Sequence, residues 1–503
     1  MLVKEPLKKQ EILKPFISSN DYKNHQRVLI EEKSVNNEIL FSNSLEEVFN
    51  VLEIKDGMTI SFHHHLRNGD YVQNMVSEEI FKRNIKNIHY APSSIFPSNA
   101  VLSKLIENKN VTNIDTNYLN GPVAKTIGEG KLEGLLIMNT HGGRPRKIES
   151  GELPIDVAFI ACPAVDKDGN GYGGIGPAAC GSLGYAISDL KYAKKVVLVT
   201  DSMFDELPKV ELEKKYVDVV LKVDKIGDQA GILSGTTKIT KDPVGLKIAS
   251  MTAKLLNELG LIKDGMSMQT GAGGTSLAVA SYVKDIMIKN NIKGSFASGG
   301  ITGYFVEMQK LGLLERLNDV QCFDIDAVNS YNENPNHYGM SGSKYANPYD
   351  DPICDKLDFV ILGATEIDKQ FNVNVTTDSY GNIMGGSGGH SDTAHGANVT
   401  VITTNLIKSR MPIIKDRVTT ITTPGEDIDV LVTERGIAIN PKRTDLLEKV
   451  KDSRLPIYPI EELYEMAHKI TGVPNKIKLS DKVIGYVQYR DGTIIDTLYQ
   501  YNK

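Results

Sequence analysis

The chain contains an internal repeat, because short segments of its first half recur in the same order in its second half. The paired segments are IKDGMTI (54–60) and IKDGMSM (262–268), IDVAFIACPAVD (155–166) and LDFVILGATEID (357–368), and VDVVLKV (217–223) and IDVLVTE (428–434). Matches in one order at nearly constant spacing indicate duplication of a structural unit. We therefore expect two related halves, with the active site at the seam between them.

Runs of β-branched residues alternate in both halves with segments of helical spacing. VVLVT (196–200), DFVIL (358–362) and DVLVT (429–433) predict strands buried on both faces of a mostly parallel sheet. Val279–Lys289 and Leu311–Leu317 carry helix-like spacing and predict helices. Strands that alternate with helices through right-handed crossovers give an α/β fold in each half.

The chain has 503 residues, which is more than one hydrophobic core usually serves. We expect a polar, helical arm over residues 1–40, a first α/β domain over 41–240 and a second over 241–503. The polar stretch Thr236–Pro243 marks the boundary. Near the C-terminus, VIGYVQYRDGTIIDTLYQ has Asp-Gly between two strand-like runs, which predicts a β-hairpin.

Composition excludes several classes of protein. The net charge is −6 and the basic residues are scattered, so we expect no nucleic-acid partner. No apolar run reaches the roughly 20 residues of a membrane span, and the charged N-terminus lacks the apolar core of a signal peptide. We predict a cytoplasmic protein. The cysteines show no C-x-x-C spacing, so neither a metal site nor a disulfide framework is expected; they are Cys162, Cys180, Cys322 and Cys354.

Three glycine-rich segments in the second half suit close contact between backbone and ligand. TGAGGT (270–275) precedes a predicted helix, whose N–H groups suit an anion, and a tight turn is the alternative. SGGITG (298–303) presents the N–H groups that an oxyanion hole needs, and a bulge is the alternative. GNIMGGSGG (381–389) suits a loop that closes on a ligand, with a flexible linker as the alternative. The candidate glycines are Gly271, Gly273, Gly274, Gly299, Gly300, Gly385, Gly386, Gly388 and Gly389.

The first half has histidine and arginine at the turn where the second half has TGAGGT. FHHHLRNGD (62–70) is a poor metal chelate, because consecutive side chains diverge. His64 and Arg67 suit carboxylate recognition instead, as does Arg144 in HGGRPR (141–146), for which a solvated turn is the alternative. Glu366 ends a buried run and is a possible catalytic carboxylate.

The chain resembles the α subunits of citrate lyase, which are citrate CoA-transferases of the CoA-transferase superfamily. The resemblance runs from about residue 24 to the C-terminal hairpin. The segments that carry it are DGMTISFHHHLRNGD, THGGRPRKIESGELPIDVAF, CGSLGYA, SMQTGAGGTSLAV, GGITG, EIDKQFNVNV and GGSGGHSDTA.

This resemblance implies exchange of acetyl for citryl on a thiol, with release of acetate. The thiol belongs to a phosphoribosyl-dephospho-CoA arm on the γ acyl-carrier subunit, with acetyl-CoA as a surrogate, and the β subunit then cleaves the citryl thioester. No cofactor is expected on this chain itself.

Many related transferases form a glutamyl–CoA thioester, but this chain has SGGITG (298–303) where they carry that glutamate. The departure favours a mixed anhydride, with oxyanion donors at Gly299 and Gly300. The residues expected to bind citrate are then Arg67, Arg144 and His64, and the other candidate glycines are expected to bind the thioester. The alternatives are a transferase for citramalate or another carboxylate that acts through a glutamyl thioester, and a non-catalytic scaffold that binds the acyl carrier.

Overall fold

A computed structural model describes residues 13–21, 27–35, 38–233, 238–271, 273–474 and 479–501. The strands up to residue 233 are β1 (Leu40–Ser42), β2 (Thr59–Phe62), β3 (Ile88–Pro92), β4 (Val111–Thr116), β5 (Leu136–Met138), β6 (Val157–Ala161), β7 (Ala164–Asp166), β8 (Gly171–Tyr172), β9 (Lys195–Thr200), β10 (Met203–Phe204) and β11 (Val219–Lys222).

The later strands are β12 (Ser267–Thr270), β13 (Gly294–Ile301), β14 (Leu314–Cys322), β15 (His337–Gly339), β16 (Phe359–Gly363), β17 (Glu366–Asp368), β18 (Val373–Asn374), β19 (Val399–Thr403), β20 (Ile407–Lys408), β21 (Met411–Pro412), β22 (Ile414–Lys415), β23 (Val430–Val432), β24 (Ile437–Ile439), β25 (Val483–Gln488) and β26 (Ile494–Tyr499).

The α-helices are α1 (Leu45–Val51), α2 (Val72–Lys82), α3 (Val101–Glu107), α4 (Pro122–Gly128), α5 (Gly143–Glu149), α6 (Ile187–Tyr192), α7 (Pro243–Glu258), α8 (Gly274–Asn290), α9 (Gly303–Lys310), α10 (Ile325–Glu333), α11 (Gly342–Ala346), α12 (His390–Gly396), α13 (Thr444–Lys449) and α14 (Ile460–Thr471). Their ends follow local chemistry: Asp242 caps the start of α7, with Pro243 in the first turn, and Asn291 in the left-handed region ends α8. None of the described helices is long and apolar enough to cross a membrane.

The two main sheets have the same strand order. The first contains β11-β9-β6-β2-β3-β4-β5, and the second contains β23-β19-β16-β12-β13-β14-β15. Each half also carries a small sheet of matching order, β10-β7-β8 and β22-β17-β18. The predicted α/β fold, with two related and mostly parallel halves, is confirmed.

Aspartates that recur in the repeat have the same structural role in both halves. Asp156 accepts the backbone N–H of Thr59 at the start of β2, and Asp358 accepts that of Ser267 at the start of β12, both at 2.8 Å. Further matched pairs of acceptor and backbone donor are Asp56 with Lys86 and Asp264 with Lys293, and Asp218 with Val196 and Asp429 with Thr400. The repeated motifs therefore anchor strands, which accounts for their retention in both copies.

The predicted strand runs lie in β9, β16 and β23, and the helix predicted at Val279–Lys289 lies inside α8. The helix predicted at Leu311–Leu317 is wrong. Helix α9 ends at Lys310, Gly312 takes a positive φ of 70°, and β14 begins at Leu314. Leucines at this spacing fit a helix and a half-buried strand equally well, and the glycine decides between them.

The predicted C-terminal hairpin forms as the antiparallel pair β25–β26. Strand β25 pairs in parallel with β5, so the hairpin extends the first sheet although it follows the second in sequence. The division into 41–240 and 241–503 stays a prediction. Within the expected arm, residues 13–21 and 27–35 hold no α-helix, and the remainder up to residue 37 lies outside the described residues.

Candidate active site at the seam

Loops from the carboxyl ends of strands in both sheets meet between the two halves. Gln321 in β14 donates through Nε2 to the carbonyl of His64, beyond β2, at 2.9 Å. The glycine loop of the second half also crosses to the first: the His141 N–H donates to the Gly388 carbonyl at 2.7 Å, and the Gly388 N–H to the Asn117 carbonyl at 3.1 Å. Ligands of parallel α/β sheets bind at this edge, so the seam is the candidate site.

His64, His141 and Tyr185 form a cluster of rings in this seam. Their centroids lie 5.5 Å apart for the two histidines, 4.9 Å for His64 and Tyr185, and 4.5 Å for His141 and Tyr185. His64 Nδ1 lies 2.6 Å from the Ser93 hydroxyl. Asn117 donates through Nδ2 to His141 Nδ1 at 2.9 Å, so the neutral His141 ring carries its proton on Nε2.

The histidines of the cluster are held neutral. Burial lowers the pKa of His64 well below its ordinary value, and repulsion from Arg67 and from any proton shared with His141 or His65 adds to the effect. Burial also lowers the pKa of His141 to about 3, with Arg144 as the second cause. At neutral pH these rings therefore offer hydrogen bonds without charge.

Arg67 is the cation of the seam. Its guanidinium carbon lies 5.6 Å from the centre of the Phe96 ring and 5.0 Å from that of Phe323, so both halves hold it. Its Nη1 is buried and has no hydrogen-bond partner among the described residues. Burial lowers the pKa of Arg67. A buried guanidinium with an unused donor is costly, and an anionic ligand would satisfy it.

Gly299 and Gly300 lie at a bulge in β13, where the register with β14 shifts. Gly299 has a φ of 96°, a conformation that favours glycine. A Cβ at Gly299 would meet the side chain of Gln269, and one at Gly300 would meet the ring of Phe323. The bulge, which the sequence offered as the alternative to an oxyanion hole, is therefore present. It lies beside the Phe323 ring that contacts Arg67.

The other glycines fall into two groups. Gly385, Gly386 and Gly389 have no room for a Cβ, because the chain crosses closely over residues of both halves. At Gly271, by contrast, a Cβ would meet nothing nearer than 3.6 Å, and at Gly273 nothing nearer than 4.0 Å. Open space therefore lies over Gly271 and Gly273, before the start of α8, where N–H groups suit an anion, whereas a Cβ at Gly274 would lie 2.7 Å from the Lys238 carbonyl oxygen.

Asp392 fixes the two halves against each other at this point. Its carboxylate accepts the Thr140 hydroxyl at 2.8 Å and the Gly142 N–H at 2.9 Å, and it lies 3.6 Å from Nε of Arg490. Burial raises the pKa of Asp392 to about 6, although Arg490 opposes the rise. The turn that carries His141 is thus held by the second half and by the C-terminal hairpin.

Known proteins are similar to this chain over most of its length. The family model described as citrate lyase, alpha subunit (CitF), matches residues 38–501. The citrate lyase alpha chains of Haemophilus influenzae and Escherichia coli are each 44% identical to the chain over 460 residues, which is 91% of this chain and 92% and 90% of the relatives. The chain belongs to the citrate lyase α-subunit family.

A protein described as an alpha subunit of citrate lyase from Streptococcus mutans, solved in complex with citrate, has a TM-score of 0.92 at 43% identity. The match covers 95% of this chain and 96% of that one. The malonate decarboxylase hetero-tetramer of Pseudomonas matches with a TM-score of 0.62 at 15% identity over 86% and 88% of the two chains, which shows the fold alone.

Arg144, which the sequence suggested as a citrate ligand, is engaged inside the first half. Its terminal nitrogens bond to Asp189 at 2.7 and 2.9 Å, and one of them also donates to Ser61 and to the Ala91 carbonyl. Burial alone would raise the pKa of Asp189, but Arg144 and His63 hold it well below its usual range. The ion pair therefore occupies both terminal nitrogens of Arg144, and its buried Nε is the nitrogen without a hydrogen-bond partner among the described residues.

Glu366 is likewise engaged in local hydrogen bonds. It accepts from Asn374 at 3.0 Å, from Ser379 at 2.5 Å and from the Thr419 N–H at 2.8 Å. It lines a cavity of about 420 Å³ whose other lining residues, such as Lys415, all come from the second half. These hydrogen bonds stabilise the buried carboxylate of Glu366, so its burial does not require a role as nucleophile.

One group among the described residues has ligand atoms close enough for a metal ion: Asp319, Cys322 and His337. Cys322 and His337 both bond to one carboxylate oxygen of Asp319, through Sγ at 2.9 Å and through Nε2 at 3.1 Å. The other oxygen of Asp319 accepts the N–H of Gln321 at 2.8 Å. The group therefore orients Gln321, which in turn holds the histidine turn.

Sequence reasoning missed several side chains of the seam, among them Asn117, Tyr185, Gln321, Phe323 and Tyr345. Asn117 directly follows β4, and Gln321 and Phe323 lie at the end of β14. Their position at strand ends is a signal that the sequence carries. Tyr185 and Tyr345 lie on short helical turns and have no such signal.

Proposed function

We propose that this chain is the citrate CoA-transferase of a citrate lyase complex. The observation that carries the proposal is the seam, where Arg67 and neutral histidines of the first half face glycine-rich backbone of the second. Family membership supports the same activity, and a relative of 43% identity was solved with citrate.

The citrate side of the site is assigned to Arg67 and His64. Arg67 has a buried nitrogen without a hydrogen-bond partner in the part of the chain that the structure describes, and a carboxylate would form a charge-assisted hydrogen bond with it. His64 is neutral and adds affinity without charge. Arg144 is left out of the assignment, because Asp189 occupies it.

The reaction needs no general base, since carboxylates are ionised at neutral pH. A carboxylate oxygen of citrate attacks the thioester carbonyl and the C–S bond breaks. The products are a free thiolate and an acetyl–citryl anhydride. The thiolate then attacks the citryl carbonyl and acetate departs. Gly299 and Gly300 are assigned as N–H donors to the oxyanion, a contribution typically worth about 3–4 kcal/mol per donor.

The thioester side is assigned to the second half. Gly271, Gly273 and Gly274 lead into α8, whose N-terminus suits the phosphates of a CoA-like arm. The loop 385–389 forms a wall against the first half and helps to exclude water, which would hydrolyse an anhydride. The arm itself is the phosphoribosyl-dephospho-CoA group of a γ acyl-carrier subunit, and a β subunit consumes the citryl thioester. The location proposed for this complex is the cytoplasm, in keeping with four free, buried cysteines.

Acetate release from acetyl-CoA tests the proposal. Purified protein is expected to release acetate only after citrate is added. Release with citramalate but not with citrate would replace the substrate, and no release with any acid would favour a scaffold subunit.

Glu366→Gln tests the covalent alternative in the same assay. The variant is expected to keep its turnover, and hydroxylamine added with acetyl-CoA alone is expected to label no glutamate in the parent. A labelled Glu366 together with an inactive variant would establish the glutamyl thioester instead.

A further inference from the structure

We propose that His141 is a citrate-binding residue of the transferase, and that it works as a neutral donor whose tautomer Asn117 fixes. The inference rests on the proposed function and extends it, because His141 then joins Arg67 and His64 on the citrate side. The donor is the Nε2–H group, and the acceptor is a carboxylate or hydroxyl oxygen of citrate.

The hydrogen bonds of His141 leave one ring nitrogen for a ligand. The side-chain amide of Asn117 is a donor toward Nδ1, so Nδ1 must act as acceptor and Nε2 must carry the proton. A Cβ at Gly388 would lie 3.3 Å from Nε2, 3.6 Å from Cδ2 and 3.9 Å from Cε1 of His141. The missing side chain of Gly388 therefore leaves space over the face of the ring, beside Nε2.

The backbone on both sides of the ring is fixed. The His141 N–H bonds to Gly388, and the Asn117 carbonyl accepts from Gly388 in turn. Asp392 holds the neighbouring residues Thr140 and Gly142. A donor that is held in this way needs little reorganisation when a ligand binds, which is what a specific polar site requires.

The titratable and charged groups around the ring are His64 from the turn after β2, Tyr185, and Arg144 from α5, while Asp392 from α12 lies beside Gly142 and Arg67 acts on His64. Burial and Arg144 both disfavour the imidazolium form. The affinity that His141 contributes is therefore expected to stay constant between pH 6 and 8.

A pair of substitutions at His141 tests the donor. Gln places an amide nitrogen close to the position of Nε2, whereas Asn is too short to reach it. His141→Asn is expected to raise the KM for citrate by about 10- to 100-fold, and His141→Gln to recover most of that loss. The KM for acetyl-CoA should not change in either variant. Equal citrate KM values for the two variants and the parent would overturn the proposal.

Asn117→Asp tests the tautomer. An aspartate would accept a proton from Nδ1, so that neutral His141 would present a lone pair at Nε2, and it would raise the pKa of the ring. The citrate KM of this variant is expected to rise with pH, while that of the parent stays flat. A flat profile in the folded variant would contradict the assignment. If the parent itself released no acetate with citrate, the proposed function would fail, and not merely the role of His141.

Discussion

The turn after β2 and the turn after β12 occupy equivalent places in the repeated fold, and they have opposite character. The first carries His64 and Arg67 and is packed between aromatic rings of both halves. The second carries Gly271 and Gly273, with open space above them. The strands that lead into both turns keep the same aspartate anchors, Asp156 and Asp358. Duplication thus preserved the strands and their aspartate anchors, and the loops at the strand ends diverged in composition and packing.

The strongest test of this contrast separates two arginines of the first half. Arg144→Met leaves Asp189 as a buried charge without its main partner, so it is expected to lower the free energy of unfolding by about 3–5 kcal/mol. Arg67→Met is the matched control, because it removes a buried nitrogen for which the described residues offer no hydrogen-bond partner. Urea unfolding of both variants measures the difference. Equal destabilisation would mean that both arginines have a structural role.

Arg67→Met should instead act on one substrate. Loss of a charged hydrogen bond to citrate is expected to lower kcat/KM for citrate by about 10- to 100-fold, while the KM for acetyl-CoA stays constant. Initial rates with each substrate varied in turn check this. A change in the KM for acetyl-CoA of similar size would break the division of substrates between the halves.

Gly271→Ala probes the opposite turn with a smaller expected effect. The added methyl group fits without a clash, so stability should stay the same or rise by up to about 1 kcal/mol. Closer approach of a phosphate would be hindered, and the KM for acetyl-CoA is expected to rise several-fold with no change for citrate. An unchanged KM for acetyl-CoA would remove this loop from the thioester site.

The repeat and the fold could be predicted from the sequence because their signals are local. Motifs such as IKDGM contain an aspartate that accepts a backbone hydrogen bond and a glycine that allows the turn. Each requirement fixes the type of residue at its position, so the sequence shows it directly. The helix prediction for Leu311–Leu317 was wrong because the spacing of its leucines suits both a helix and a strand. The positive φ of Gly312 ends the helix there.

The candidate site was only partly predictable, because burial and partners depend on distant segments. Arg67 and Arg144 look alike in sequence, and only the fold brings Asp189 against one and the rings of Phe96 and Phe323 against the other. The partner of His141 is Asn117, on the neighbouring strand end. Nothing within either segment alone reveals that pairing.

The return of the hairpin β25–β26 to the first sheet has a consequence for assembly during synthesis. Strand β5 is made early, yet its neighbour β25 emerges only after the whole second half. Arg490, at the turn of that hairpin, bonds to Asp355 and lies beside Asp392 of the second half. The hairpin that joins the two halves therefore leaves the ribosome after both of them, and the candidate site at the seam is completed only once this hairpin has been made.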